Sequence, residues 1–235
     1  MNNTSENKDE KTAYFRTIIR GFLGVPIYLG IMFLLAGRTT YWQAWVYSGY
    51  TLISAIFSIY FFRERKDLAL ERMKPGPGVR KIDRIFFSLN SIVFMINIMI
   101  ASLDGGRHHW SGPIPPVLYL AAAVFFLFSL VLFYWSMSAN RFFSSMVRIQ
   151  EERGHQLIQD GPYRYVRHPG YLGGIFFGPA TAILLGSFWA LIPGMISSIM
   201  LLIRSHYEDK MLREKLPGYV DYSKRVRYRI LPGLW

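Results

Sequence analysis

Charged and apolar positions segregate along this chain into long blocks. Asp, Glu, Lys and Arg are missing from 21–37, 39–62, 85–103, 114–140 and 169–203, where Leu, Ile, Phe, Val, Ala, Gly and Met dominate. About 20 apolar residues at ~1.5 Å rise cross a ~30 Å hydrocarbon core, so the blocks predict membrane-spanning helices. The last block would make a helix of roughly 52 Å, too long for one crossing. Gly186-Ser187 lies midway along it and predicts a turn between two short helices. The expected fold is all-α, a multi-pass membrane protein of six spans that ends in a helical hairpin. The polar first dozen residues are expected to be disordered.

Composition agrees with this class. Hydrophobic residues make up 51% and charged residues 18% of 235, and aromatics reach 17%. Soluble domains carry about 25% charged residues, and rings gather at lipid–water interfaces. The absence of Cys excludes a thiol nucleophile, a disulfide framework and thiolate-bound metals. Lys and Arg number 27 against 15 acidic residues, and their placement explains the excess. All but Arg38 and Arg107 fall before the first span or in 63–84, 141–167 and 204–235. Six spans put these segments on one side, and the positive-inside rule makes that side the cytoplasm. Both termini are then cytoplasmic, and no nucleic-acid partner is needed to account for the charge.

Candidate chemistry gathers after residue 140. The string Asp160-Gly161-Pro162-Tyr163-Arg164-Tyr165-Val166-Arg167-His168-Pro169-Gly170-Tyr171 holds three Tyr, two Arg and a His on a backbone stiffened by two prolines. It is either a headgroup anchor or a binding loop that offers rings, imidazole and guanidinium forks. The last span should continue as helix to Leu216, where Pro217-Gly218 stops it. Arg204 and Glu208 share a face of that helix, while Asp209, Lys210, Arg213, Glu214 and Lys215 read as a solvated face. Gly170, Gly174, Gly178, Ala182 and Gly186 form a small-residue stripe suited to close helix packing, and Pro179 suggests a kink. Asn90 and Asn97 suit interhelical hydrogen bonds. His108 and His109 have no carboxylate or thiolate nearby and read as an exposed loop, not a metal site.

The C-terminal segment from about Asn140 to Pro232 resembles the isoprenylcysteine carboxyl methyltransferase family. The resemblance rests on Gln150, His155-Gln156-Leu157-Ile158, GPYRYVRHPGY at 161–171, Arg204 with Glu208-Asp209, Leu216-Pro217-Gly218-Tyr219 and Tyr222. It implies S-adenosylmethionine as cofactor, in a cytoplasmic pocket roofed by the C-terminal tail. The implied cofactor contacts are Gln150, His155, Gln156, Leu157, Ile158, Tyr163, His168, Pro169, Gly170, Tyr171 and Glu208. Arg204 would face the acceptor, a lipophilic or prenylated molecule drawn from the bilayer. The chain then divides into a transmembrane scaffold (1–139) and a methyltransferase-like region (140–235).

A carboxylate acceptor suits Arg204 and needs no base, since it is ionised at neutral pH. An amine acceptor would require one, with Glu208 as candidate. Thiol methylation, a nicotinamide-dependent membrane reductase and a non-catalytic lipid- or haem-binding protein are the alternatives. A prokaryotic plasma membrane is the expected location.

Overall fold

The computed structural model describes residues 2–233. Helix α1 (Asn2–Ala36) and helix α2 (Trp42–Arg63) are followed by the short α3 (Lys66–Met73) and by α4 (Lys81–Ala101). A π-helical turn (Ser102–His108) leads through a loop to α5 (Pro116–Ala139). A long irregular segment with two 3-10 turns (Glu151–Arg153 and Gly161–Arg164) precedes α6 (Pro169–Leu184), α7 (Leu191–Lys215) and α8 (Tyr219–Arg225). No strand occurs among the described residues.

Local chemistry sets the boundaries. Proline opens α5 and α6, where a missing N–H costs nothing. Gly37 ends α1 at φ +68°, and Gly218 follows the end of α7 at φ +79°, conformations that other residues adopt at a steric cost. Of the first dozen residues, expected to be disordered, Met1 lies outside the described residues and 2–12 are helical, because helix α1 starts at Asn2. No Gly or Pro interrupts 2–20, so the helix propagates outward from its apolar part. The segment 63–84, expected as loop, also contains α3.

Four helical stretches are long and apolar enough to cross a bilayer: Lys11–Ala36, Trp42–Arg63, Lys81–His108 and Pro116–Ala139. Their outward faces carry exposed Leu34, Ile53, Leu120 and Val131, as lipid-facing surfaces do. The chain is an integral membrane protein. The expected hairpin forms from α6 and α7, with its turn at Gly186 (φ +81°).

The small-residue stripe packs backbone to backbone at Gly178, while Gly170 and Gly174 receive the Phe143 and Leu201 side chains. A Cβ on Gly194 would lie 2.9 Å from the Gly178 carbonyl carbon, so the α6 and α7 backbones touch. One residue off the stripe, a Cβ on Gly173 would lie 2.9 Å from the Ser129 carbonyl oxygen of α5. Asn97 donates to the carbonyls of Gly178 (3.3 Å) and Ala190 (2.8 Å), and Asn90 accepts from Ser197 (2.8 Å). These are the interhelical bonds expected of the two asparagines.

The far end of the hairpin is held by a carboxylate absent from the sequence expectations. Asp104 is fully buried and accepts from the Ser111 amide (2.8 Å), the Ser111 hydroxyl and the Ser187 hydroxyl (2.5 Å). Tyr41 donates to the Leu185 carbonyl beside it. His108 stacks on Trp110, and His109 sits 3.2 Å from Arg38.

A side chain at Gly105 would meet the Leu185 carbonyl oxygen at 2.2 Å, whereas one at Gly49 would meet nothing within 4 Å. Gly105→Ala is expected to destabilise the protein by about 1–3 kcal/mol through overpacking. Gly49→Ala should be neutral or stabilising by up to ~1 kcal/mol. Thermal unfolding of the detergent-solubilised protein measures both, and equal melting temperatures would refute the close packing at Gly105.

Candidate active site

The irregular segment after α5 is built around Phe142. Asn140 accepts from the Phe142 amide (2.8 Å) and donates to the Tyr163 hydroxyl (3.2 Å). The Phe142 ring stacks on His155 at 4.6 Å and 25°. Gln150 secures this pair: its side chain donates to the Phe142 carbonyl (2.6 Å), and its amide donates to His155 Nδ1 (3.2 Å). Burial pushes the His155 pKa down, which favours the neutral ring.

Arg148 anchors the same segment to α3. It donates to Glu71 (2.7 Å) and Glu152 (2.6 Å), and Ser144 donates to Glu71 (2.8 Å).

The tail crosses over the loop and is tied down at Asp209. Burial pushes this carboxyl up. Hydrogen bonds from His168, Arg167 and Arg213 outweigh that and hold it well below the usual carboxylate range. Arg167 Nε donates at 2.7 Å, Arg213 Nε at 2.9 Å and the Tyr219 hydroxyl at 2.8 Å. Arg167 also reaches the Val226 (2.8 Å) and Arg227 (2.7 Å) carbonyls, and the His168 amide donates to the Arg229 carbonyl (2.9 Å). Tyr222 donates to the Tyr163 carbonyl (2.7 Å). Burial and the nearby Asp209 charge both push the Tyr219 pKa up, so this phenol stays a donor.

The expected solvated face of α7 is therefore corrected at Asp209, which is 2% exposed. Three arginines from the loop, the helix and the tail converge on it. Periodicity along α7 alone carries no trace of them.

Beneath the tail lies a cavity of about 590 Å³. At the loop end it is lined by His155, Gln156, Leu157, Ile158, Tyr163, His168, Gly170, Tyr171 and Glu208, all expected site residues. Tyr219 and Tyr222, present in the motif but given no role, also line it, as do Asn140 and Phe142. The cavity continues between α4, α5, α6 and α7, past Asn90, Phe94, Leu130, Phe177 and Leu201. Gln150 and Pro169 are not on its wall. Gln150 braces the wall from behind, and Pro169 opens α6.

Arg204 lines the cavity and stacks over the Phe86 ring at 5.6 Å. Its Nη2 donates to the Ser145 carbonyl (2.7 Å), while its Nε is buried without a partner. Glu208, one turn on, accepts from the Tyr171 hydroxyl (2.6 Å). No ion pair joins Arg204 to Glu208 among the described residues, and both line the cavity. Arg72 of α3 lines it too, though the sequence reading counted this residue only as loop charge. No group of His, Asp and Glu among the described residues has metal-binding geometry.

Residues 121–214 match the model of the isoprenylcysteine carboxyl methyltransferase family. Protein-S-isoprenylcysteine O-methyltransferase B of Arabidopsis thaliana is 29% identical over 91 residues, 38% of this chain and 46% of the relative. The Schizosaccharomyces pombe protein-S-isoprenylcysteine O-methyltransferase is 42% identical over 50 residues, 21% of each chain. The match spans less than half the length of these curated relatives. They are plant and fission-yeast proteins and lend no support to a prokaryotic location. The solved structure of the eukaryotic intramembrane Ras methyltransferase ICMT shares the fold, with a TM-score of 0.50 at 17% identity. That match covers 96% of this chain and 85% of the other.

Asp209→Asn is expected to cost about 3–5 kcal/mol, because it strands buried guanidinium charge. The sign with pH follows from the depressed carboxyl. Its contribution is complete above the ordinary carboxylate value and is lost as pH falls through the lower folded value. Denaturant unfolding should show the widest gap between wild type and variant at neutral pH, narrowing below the ordinary carboxylate range. A gap that does not change with pH would refute the assignment.

Proposed function

We propose that this chain, whose residues 121–214 match the model of the isoprenylcysteine carboxyl methyltransferase family, is an S-adenosylmethionine-dependent methyltransferase of the membrane. Its acceptor is a lipophilic carboxylate of the isoprenylcysteine type. The observation that carries this reading is the single cavity running from a polar, aromatic loop end into the space between helices, with Arg204 and Glu208 at the junction.

The residues present fit the cofactor. Tyr163, Tyr171, Tyr219, Tyr222 and Phe142 supply ring faces suited to a sulfonium, and Glu208 supplies a carboxylate suited to an amino group. When bound, S-adenosylmethionine would supply an electrophilic methyl group. Tyr171 orients Glu208 by its 2.6 Å hydrogen bond. The Arg204 guanidinium lines the cavity and its buried Nε has no hydrogen-bond partner, so the acceptor's carboxylate would satisfy donor capacity that the protein leaves unused. A carboxylate attacks without losing a proton, so the chain's work is alignment and exclusion of water under the tail. Gln150 and Pro169 then act by positioning Phe142, His155 and the start of α6.

In this reading residues 140–235 hold the cofactor, and 1–139 form the scaffold and the remaining cavity wall. The α6–α7 hairpin supplies the fifth and sixth spans, since its turn lies at the level of Asp104 and Tyr41. The loop end and both termini face the cytoplasm by the charge asymmetry.

Purified protein given methyl-labelled S-adenosylmethionine and N-acetyl-S-farnesylcysteine should yield a base-labile methyl ester. A base-stable product from amine or thiol acceptors, with no ester, would overturn the choice of acceptor. Glu208→Gln should weaken S-adenosylhomocysteine binding by roughly 10- to 100-fold, the loss of one charge-assisted contact. Arg204→Lys should preserve that affinity and abolish ester formation, because an ammonium does not reproduce the guanidinium fork. The reverse pattern in calorimetric titration would exchange the two roles.

A further inference from the structure

Arg72 sits on α3, outside the matched residues 121–214, and lines the same cavity as Arg204. Its guanidinium lies 5.2 Å from the Phe133 ring centre and 5.4 Å from that of Phe143. Among the described residues no carboxylate pairs with it, although Glu71 is its neighbour in sequence. Glu71 turns instead to Arg148 and is consumed there by two hydrogen bonds. Burial pushes the Arg72 pKa down to about 10, with Arg204 adding to the effect, and the group stays cationic at neutral pH.

Ser145 connects the two arginines. Its hydroxyl donates to the Arg72 carbonyl (2.9 Å), and its own carbonyl accepts from Arg204 Nη2 (2.7 Å). Arg204 is only 8% exposed, yet its Nε has no partner. Two guanidiniums thus line one cavity with no ion pair to either among the described residues, while the carboxylate of Glu208 on the same wall accepts from Tyr171. Such an arrangement is costly unless an anion completes it.

We infer that Arg72 and Arg204 clamp the carboxylate of the acceptor between them, so that a scaffold helix outside the family region selects for an anionic acceptor. This rests on the carboxylate reading above. Planar forks on two sides fix the position of both oxygens, and the rings under Arg72 hold its plane. An acceptor lacking the negative charge would leave both cations unneutralised.

The test compares binding of N-acetyl-S-farnesylcysteine and its carboxamide to full-length protein saturated with S-adenosylhomocysteine. Wild type should prefer the acid by about tenfold or more, as charge-assisted pairs exceed neutral ones. Arg72→Gln should erase most of that preference, with carboxamide and S-adenosylhomocysteine affinities unchanged. Arg72→Lys, which keeps the charge but not the fork, should retain part of it, and it carries the test if the Gln variant does not fold. A preference undiminished in the folded variants, an equal loss for acid and carboxamide, or no preference in wild type would each overturn the clamp. If the acid is preferred through Arg72 but no methyl ester forms, the clamp stands and the methyltransferase reading falls.

Discussion

The carboxylate of Asp209 receives hydrogen bonds from Arg167 on the loop, Arg213 on its own helix and Tyr219 on the tail. Each partner fixes a different segment. Arg167 adds two tail carbonyls, so the strip around Val226–Arg229 is held across the loop before α6. The roof of the cavity, the placement of His168 and the path of the tail all follow from this one buried charge. Its neutralisation by several donors makes burial tolerable, and the same surplus keeps the carboxyl ionised.

Below this polar hub the physics changes. Lipid removes the hydrophobic drive between helices, so close approach and hydrogen bonding must hold them together. The contact of Gly178 with Gly194, the Gly173 approach to Ser129, and the bonds of Asn97 serve that purpose. Small residues on α6 bring three backbones together on one side. Toward Asn90 and Phe94 of α4 the packing opens into the cavity. Tight packing and open space are thus two faces of the same hairpin.

The charge arrangement connects the two regions. Along the loop face, most buried arginines are matched: Arg148 with Glu71 and Glu152, Arg167 with Asp209. Arg72 and Arg204 depart from this rule where the polar end of the cavity meets its apolar end. That contrast leaves two cationic groups, one from α3 and one from α7, on the wall of a cavity that runs on between apolar helix faces.

Much of this was legible in one dimension. Long uncharged blocks specify helices wherever backbone groups must be satisfied within lipid, and Gly186-Ser187 breaks the last block because Gly186 takes φ +81° without a steric cost. The stripe on α6, the shared face of Arg204 and Glu208, and the stiff string before α6 all follow from helical spacing and proline. What only the tertiary structure decided were the long-range pairings. Asp209 looks like any polar position on an exposed turn, and Arg72 like one more basic loop residue. Their roles depend on partners 42 positions away in the first case. In the second they depend on Glu71 turning to a guanidinium 77 positions away. Spacing along a helix reports which residues share a face, but the charge that meets that face comes from elsewhere in the chain.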